Sequence, residues 1–474
     1  MQIIHIAAEC YPAAKVGGLG DVVGALAKYL NLAGHHGRVI LPKYHTKYII
    51  NNEWQEIFAN TALLGVGAFD YKIYTDTSNK LGYELYLVDI PGLLNREQVY
   101  GYEDDSTRFI AFQTAAIDWI IKAELAPDLI NVHDHHAALI PFMIQNCHDF
   151  MALKECPVVL TIHNGQYQGT MEWSNNVMIP KWDSWKWGLL DWNGFINPLA
   201  SGIRCAWKVT TVSNGYLQEL RFQSNGLEKL FELEWHKCSG ILNGIDTIVW
   251  NPEEDQALTK TFSAKNVSKE KLHNKKTLCD QFNLDINKPL FVFIGRLVGE
   301  KAADLLPQSF INAFHKIGRK MNFLILGSGQ TEIENELNYL KFFSQNDYNT
   351  YIGYNEDLSH LMYAGADFIL MPSRVEPCGL NQLYALRYGT IPVVNNTGGL
   401  HDTVVDISEP NGYGIKMSNA SENEIILSIY RAIELYADNT RMEQIKKQIM
   451  KLDYSWTKSI NNYISLYQSL GIKN

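Results

Sequence analysis

Short apolar runs ending in polar or glycine residues recur along the chain, separated by stretches of helical periodicity. QIIHIAAE (2–9) predicts a strand, KVGGLGDVV (15–23) a tight turn, and DVVGALAKYLNLAG (21–34) a helix stopped by Gly34. RVILP (38–42) predicts the next strand, so the opening reads strand, turn, helix, strand, the grammar of a parallel sheet. ELYLVDI (84–90), DLINVHD (128–134), PVVLTIHN (157–164) and KVTTVS (208–213) predict further strands, and RFIAFQTAAIDWIIKAEL (108–125) predicts a helix among them.

The grammar then restarts. PLFVFIGRL (289–297), NFLILGSG (322–329), NTYIGY (349–354), DFILMPS (367–373) and TIPVVNN (390–396) predict a second set of strands. CGLNQLYALRYG (378–389) reads as a helix between two of them, and Ser421 with Glu424 has capping-box spacing ahead of IILSIYRAIELYAD. Two α/β wraps imply two doubly wound domains, whose ligands bind at the carboxyl ends of the strands, and facing domains would form a cleft there. The polar stretch 251–288 reads as a segment near the junction.

Composition narrows the class. A length of 474 residues favours two domains, and 46% apolar with 19% charged residues describes an ordinary globular chain. A net charge of −10 argues against general nucleic-acid binding, which needs a cationic face. Seven cysteines without a CxxC pair suit a reducing compartment. The N-terminus lacks the basic region of a signal peptide, and no apolar stretch reaches membrane-spanning length. The expectation is a cytoplasmic protein without nucleic-acid or membrane partners.

The glycine pair in KVGGLGDVV implies either an unusual dihedral or close approach of a small polar or anionic group to the backbone. In the second half, IGRLVGEKAAD puts Arg296 and Lys301 after a strand, and PSRVEPCGLNQL puts Glu376 before Cys378, Gly379 and Leu380 at a helix start. Free N–H groups and the dipole there suit a phosphate, and two nearby cations would supply charge to a leaving pyrophosphate. Each residue alone also fits a bland role: surface cations, or a carboxylate at a helix start. HDHHA (133–137) raises a metal site, but strand alternation would send His135 and His136 to opposite faces, against a shared ion.

KVGGLGDV, TIHNGQYQG, LNGID, GRLVGEK, PSRVEPCGLNQ and NTGGLHDTV occur in that order. Together they resemble the bacterial glycogen synthases and plant starch synthases, a resemblance running from residue 1 to DYSW (453–456). It implies the GT-B architecture: α/β, two Rossmann-like domains with parallel sheets facing an interdomain cleft. The corresponding boundaries are 1–245, 246–456, and a helix 457–474 crossing back to the first domain. It also implies a retaining transfer of glucose from ADP-glucose to an α-1,4-glucan such as glycogen or maltooligosaccharide, with no cofactor and no metal.

By the same resemblance Lys15 contacts phosphate, Gly17 and Gly18 admit the donor, and Asp21 hydrogen-bonds the transferred glucosyl unit. His163 lies beside the glucosyl ring, and Asn164, Asp134, His135 and Asn243 line the donor cleft. Arg296, Lys301 and Glu376 carry the chemistry, with Cys378, Gly379, Leu380 and Asn381 at the phosphate-binding helix start. Gly398 and Gly399 face the distal phosphate and Tyr354 the base. Asp246 either caps or braces the hinge.

Departures from the family pattern are specific. Glu300 and Ala302 replace the glutamine and glycine of QKG around Lys301, and Asn381 replaces a threonine. Leu94 stands where an aromatic is common, Asn395 and Asn396 where a basic pair is common, and LASG (199–202) where a lysine is usual. These changes put donor affinity and nucleotide choice in question. The window 173–192 holds Trp173, Trp182, Trp185, Trp187 and Trp192, a platform for a glucan or an insertion packed on the first domain. Competing readings are another retaining transferase, sucrose-synthase-like or trehalose-forming, and a non-catalytic glucan-binding protein. A nicotinamide dehydrogenase is disfavoured because GxGxxG spacing is missing.

Overall fold

β1 (Gln2–Ile6) is almost wholly buried, as a central strand covered on both faces must be. It pairs in parallel with β2 (His36–Pro42) on one side and β6 (Leu129–His133) on the other. Outward from β6 come β7 (Val158–Ile162), β10 (Lys208–Thr211) and β11 (Cys238–Gly240); outward from β2 come β5 (Glu84–Asp89), β4 (Ala68–Thr75) and β3 (Gln55–Leu63). A separate ribbon is made by β8 (Asp191–Trp192) and β9 (Phe195–Ile196). The structure, a computed model, describes residues 1–78 and 80–472. It resolves two compact units, Met1–Asn243 with Trp456–Asn474, and Gly244–Ser455.

All pairings from β11 to β5 are parallel; β4 and β3 are antiparallel and were missing from the sequence-based elements. The reason is physical. β3 has one buried residue among nine, so it has no apolar run to betray it. Gly65 in the hairpin loop is squeezed against the 173–192 window, where a Cβ would stand 2.4 Å from the carbonyl of Ile179.

The helix Gly18–Leu32 begins three residues before the expected Asp21 and ends as predicted, with Gly34 at φ +85°. Its buried face meets the last helix, Trp456–Gln468: Tyr29 and Trp456 stack at 6.4 Å, and Tyr467 donates to Asn131 Oδ1 at 2.7 Å. The chain thus returns to its first unit to complete that unit's core.

The second unit is a fully parallel six-stranded sheet in the order β14 (Tyr348–Ile352), β13 (Asn322–Gly327), β12 (Leu290–Ile294), β15 (Phe368–Met371), β16 (Ile391–Asn395), β17 (Ile415–Met417). Alternate residues feed two cores, one containing Phe291, Phe323 and Phe368, the other Val292, Leu324 and Ile369. Burial on both faces explains why these strands read as unbroken apolar runs. Ser421 accepts from the Glu424 amide at 3.4 Å, but the Glu424 carboxylate reaches Ser418 N, so only half of the predicted capping box forms.

The stretch 251–288 lies within the second unit, shortly after its start at Gly244. It contains the helix Val267–Phe282, packed within the second unit, and its polarity conceals two buried lysines. Lys271 Nζ donates to the carbonyls of Tyr363, Ala364 and Tyr388 and to Thr390 Oγ1 at 2.6–3.0 Å. Lys275 pairs with buried Asp367 at 2.8 Å. Among the described residues no helix is long and apolar enough to cross a membrane.

Replacing Lys271 by Met removes four hydrogen bonds at once and leaves the buried Ala364 and Tyr388 carbonyls without that donor, while Thr390 Oγ1 still donates to the Tyr363 and Ala366 carbonyls. The expected cost is about 3 kcal/mol, a fall of roughly 6–12 °C in the unit's melting temperature by calorimetry.

Candidate functional site

In the first unit the sites cluster beyond the carboxyl ends of β1, β6 and β7. The residue that organises the first of these loops is one that sequence reasoning missed. Glu9 Oε2 accepts from the amides of Val16 and Gly17 at 2.6 and 2.9 Å, and its other oxygen accepts from Tyr100. An internal carboxylate therefore takes the amides that the sequence reading offered to an external anion. Its only signal was a carboxylate at the end of the expected strand 2–9. Neither Gly17 nor Gly18 has a positive φ, and a Cβ on either would meet no protein atom within 4 Å. The turn's geometry does not demand glycine. Lys15 Nζ contacts Asp21 Oδ1 at 2.8 Å, so these two candidates are brought together.

β1, β6 and β7 run side by side and deliver three buried imidazoles in a row, His5, His133 and His163. His133 Nδ1 lies 3.0 Å from His163 Nε2, and His133 Nε2 lies 3.2 Å from His5 Nδ1. Burial lowers the pKa of His5 and of His163 to about 3, and that of His133 well below its usual range, so all three are neutral. Asp134 follows β6 with a left-handed φ of +54° and accepts from the amides of His163 at 2.7 Å and Asn164 at 3.4 Å. Burial raises its pKa to about 7 despite those two amides.

His135 and His136 correct the strand argument. β6 stops at His133, so strand alternation does not apply to them, and their rings lie together, centroids 3.7 Å apart and planes tilted by 34°. His136 also stacks on Tyr100 at 5.1 Å. His135 borders a pocket of about 390 Å³ with Gln166, Tyr167, Gly169 and Asn225. Asn164 Oδ1 accepts from Gln166 N in its own turn, while Asn243 is buried with Oδ1 lacking a partner among the described residues. Leu94 is fully buried.

In the second unit, the loops after β12, β15 and β16 interlock. Lys301 Nζ reaches both oxygens of Glu376, at 2.7 and 2.6 Å, and Ser373 Oγ donates to Glu376 at 2.9 Å. Glu376 is buried; Lys301 keeps 23% of its side chain exposed. Arg296, half exposed, does not join them but pairs with Glu300 at 3.0 Å, the residue substituted for the family's glutamine. Ala302, substituted for glycine, sits at φ +52°.

Gly398 and Gly399 are required by packing. A Cβ on them would stand 2.1 Å from the Glu376 carbonyl and 2.0 Å from the Cys378 carbonyl. Their turn therefore buttresses the Glu376 loop, and the Gly399 amide bonds the Glu376 carbonyl at 3.0 Å. Gly379 has φ +71°, Leu380 precedes the helix Asn381–Arg387, and Asn381 Nδ2 donates to the Ile294 carbonyl at 2.6 Å, tying that helix start to β12. Asp246 Oδ1 accepts from Ile248 N at 3.0 Å, a local turn brace. Tyr354 stands exposed, its hydroxyl on Glu356 at 2.8 Å.

The tryptophan window divides. Trp182 packs edge-on against Phe142, Trp173 donates to Asp191, and Trp192 donates to the Gly226 carbonyl. Trp185 and Trp187 are 76% and 56% exposed.

Comparison with known proteins gives this arrangement a class. Residues 2–233 match the family model described as starch synthase catalytic domain, and residues 274–449 match that of glycosyl transferases group 1. The catalytic domain of starch synthase IV from Arabidopsis thaliana, solved bound to ADP and acarbose, is 31% identical with a TM-score of 0.90, 99% of each chain being covered. A sucrose-phosphate synthase from Thermosynechococcus elongatus, 15% identical with a TM-score of 0.63 over 99% of each chain, shares the fold alone. The class is a glycosyltransferase of the GT-B fold. Glycogen synthases from Flavobacterium johnsoniae (50% identical, 98% of each chain covered) and Streptococcus sanguinis (35% identical, 99% of this chain and 100% of the relative) are similar throughout. The chain belongs to the glycogen synthase and starch synthase family.

Asp134 sets a pH signature. Its folded pKa of about 7 lies above the usual aspartate value, so the stability it contributes is full at low pH and is lost as pH rises through 7. Asp134→Asn keeps an acceptor for the His163 amide but cannot titrate. Urea unfolding from pH 4 to 8 should show the wild type losing on the order of 4 kcal/mol more than the variant across that interval.

Proposed function

We propose that the protein transfers a glucosyl unit from ADP-glucose to the non-reducing end of an α-1,4-glucan, with retention of configuration. The observation that carries this reading is the Lys301–Glu376 contact in the loops after β12 and β15. An ammonium held on a buried carboxylate is oriented in advance, with a further N–H left to meet a departing diphosphate. The ADP and acarbose bound to the Arabidopsis relative support the choice of nucleotide and acceptor class.

Breaking the bond between the anomeric carbon and phosphate oxygen leaves an oxocarbenium-like sugar and a nucleotide with an extra negative charge. In this reading Lys301 and Arg296 meet that charge, joined by Lys15 and by the backbone N–H groups at Gly379 and Leu380. Glu376 accepts from sugar hydroxyls while it holds Lys301. Asp21 and His163 contact the glucosyl unit, and the His163 carbonyl lies near the anomeric carbon. Asp134 orients the His163–Asn164 backbone through its two amide contacts. Asn164, His135 and Asn243 line the donor site, Cys378 and Asn381 shape the phosphate seat, and Gly398 and Gly399 support it. Gly17 and Gly18 leave side-chain space beside the donor, and Tyr354 faces the base. The leaving phosphate oxygen takes the acceptor hydroxyl proton on the face it departs from, so no enzyme carboxylate need form a covalent intermediate. Glu300 competes with phosphate for Arg296.

Lys301→Ala is expected to lower kcat by roughly 10²–10³-fold while donor affinity, by titration calorimetry with ADP-glucose, moves far less. Loss confined to binding overturns the assignment. Initial rates on a glycogen primer with ADP-glucose and UDP-glucose test the nucleotide, with ADP-glucose expected to be faster.

The exposure of Trp185 and Trp187 favours a second role for the 173–192 window, as a platform on which a glucan chain rests. Truncating both to Ala should weaken maltooligosaccharide binding roughly tenfold without shifting the melting temperature. Unchanged binding leaves the window a packing element.

A further inference from the structure

The three imidazoles at the ends of β1, β6 and β7 constrain one another in a way that fixes where the protons are. Each is neutral, so each carries one N–H and one bare nitrogen. Two hydrogen bonds link them, and His133 stands in the middle, so it must donate on one side and accept on the other. Only two arrangements satisfy both bonds. In one, every ring is protonated at Nδ1: His5 donates to His133 Nε2, and His133 donates to His163 Nε2. In the other, every ring is protonated at Nε2 and the direction reverses.

The inner end of the row decides between them. His5 Nε2 is buried and has no partner among the described residues. The second arrangement would put the His5 proton on that nitrogen and leave a donor stranded in the interior. The first leaves only a bare lone pair there, the lesser penalty, since orphaned buried N–H groups are the rarer defect. His5 and His133 are wholly inaccessible, whereas His163 keeps 9% of its surface exposed. The row is closed at His5 and opens only at His163.

We propose that His5 and His133 are positioning residues that hold His163 in its Nδ1-protonated tautomer, so that the nitrogen left over at the open end is an obligatory donor. This rests on the reading in which His163 contacts the glucosyl unit, and it specifies that contact: His163 gives a hydrogen bond to a sugar oxygen and cannot accept one. The ring nitrogen that meets the substrate is set by a residue two strands away.

The primary test is nitrogen-15 NMR of protein labelled at histidine, with the His163 resonances assigned by comparison with His163→Ala. Protonated Nδ1 and bare Nε2 on His163 are expected; the reverse overturns the proposal irrespective of activity. His133→Asn retains an amide donor toward His163 Nε2 and should keep kcat for transfer from ADP-glucose to glycogen within roughly threefold of wild type. His133→Leu removes the donor and should lower kcat by roughly tenfold or more, with KM for ADP-glucose little changed. Wild-type kcat in His133→Leu, or equal losses in both variants, overturns it. Full activity in His163→Ala would instead sink the underlying reading of the site while leaving the measured tautomer standing.

Discussion

A parallel strand buried on both faces can place a charge only where it ends, and this constraint governs both units. Lys301, Glu376 and Arg296 follow β12 and β15; Glu9 and Asp134 follow β1 and β6. Each of these groups pays part of its hydration to stand at the sheet edge. The structure offsets that loss with local partners: two amides for Glu9, two for Asp134, and a hydroxyl with an ammonium for Glu376. The compensation differs from place to place, and so does the resulting chemistry. Asp134 holds its proton up to about pH 7, whereas Glu376 and Lys301 form a close ion pair.

The second unit shows how packing rather than charge fixes a reactive group. The turn at Gly398 and Gly399 fits against the 376–378 backbone so closely that no side chain is tolerated. Arg374 ties the same loop down with its paired contact to Asp304 and its bond to the Gly299 carbonyl. The Lys301 loop and the Glu376 loop are thereby held in register by contacts that involve neither side chain, so each contributes geometry to the other.

Much of this was legible in the chain and some was not, for reasons that follow from burial. Strands with two covered faces, such as β12 and β13, announce themselves as apolar runs; the solvated hairpin of β3 and β4 does not. The pairing of Lys301 with Glu376 was foreshadowed by both residues standing just after strands, and that of Lys15 with Asp21 by their shared turn. The His5–His133–His163 row was invisible, because it joins three separate strands and nothing in spacing along one strand reports what its neighbour presents. Lys271 was passed over for the opposite reason. A lysine in a polar stretch looks like solvent-facing surface until the carbonyls that surround it are seen.

The path of the backbone has a consequence for how the molecule is made. The chain leaves its first unit after Asn243 and re-enters it at Trp456, and the outgoing and returning segments are bonded side by side, Ile245 N to Tyr454 O at 2.9 Å. On a ribosome, the inserted unit is contiguous and can close as soon as it emerges. The surrounding unit must wait with the Tyr29 face of its first helix uncovered until the final segment is synthesised, so it finishes after the part encoded in its middle. A nascent polypeptide interrupted short of residue 456 would hold a finished insert inside an unfinished host.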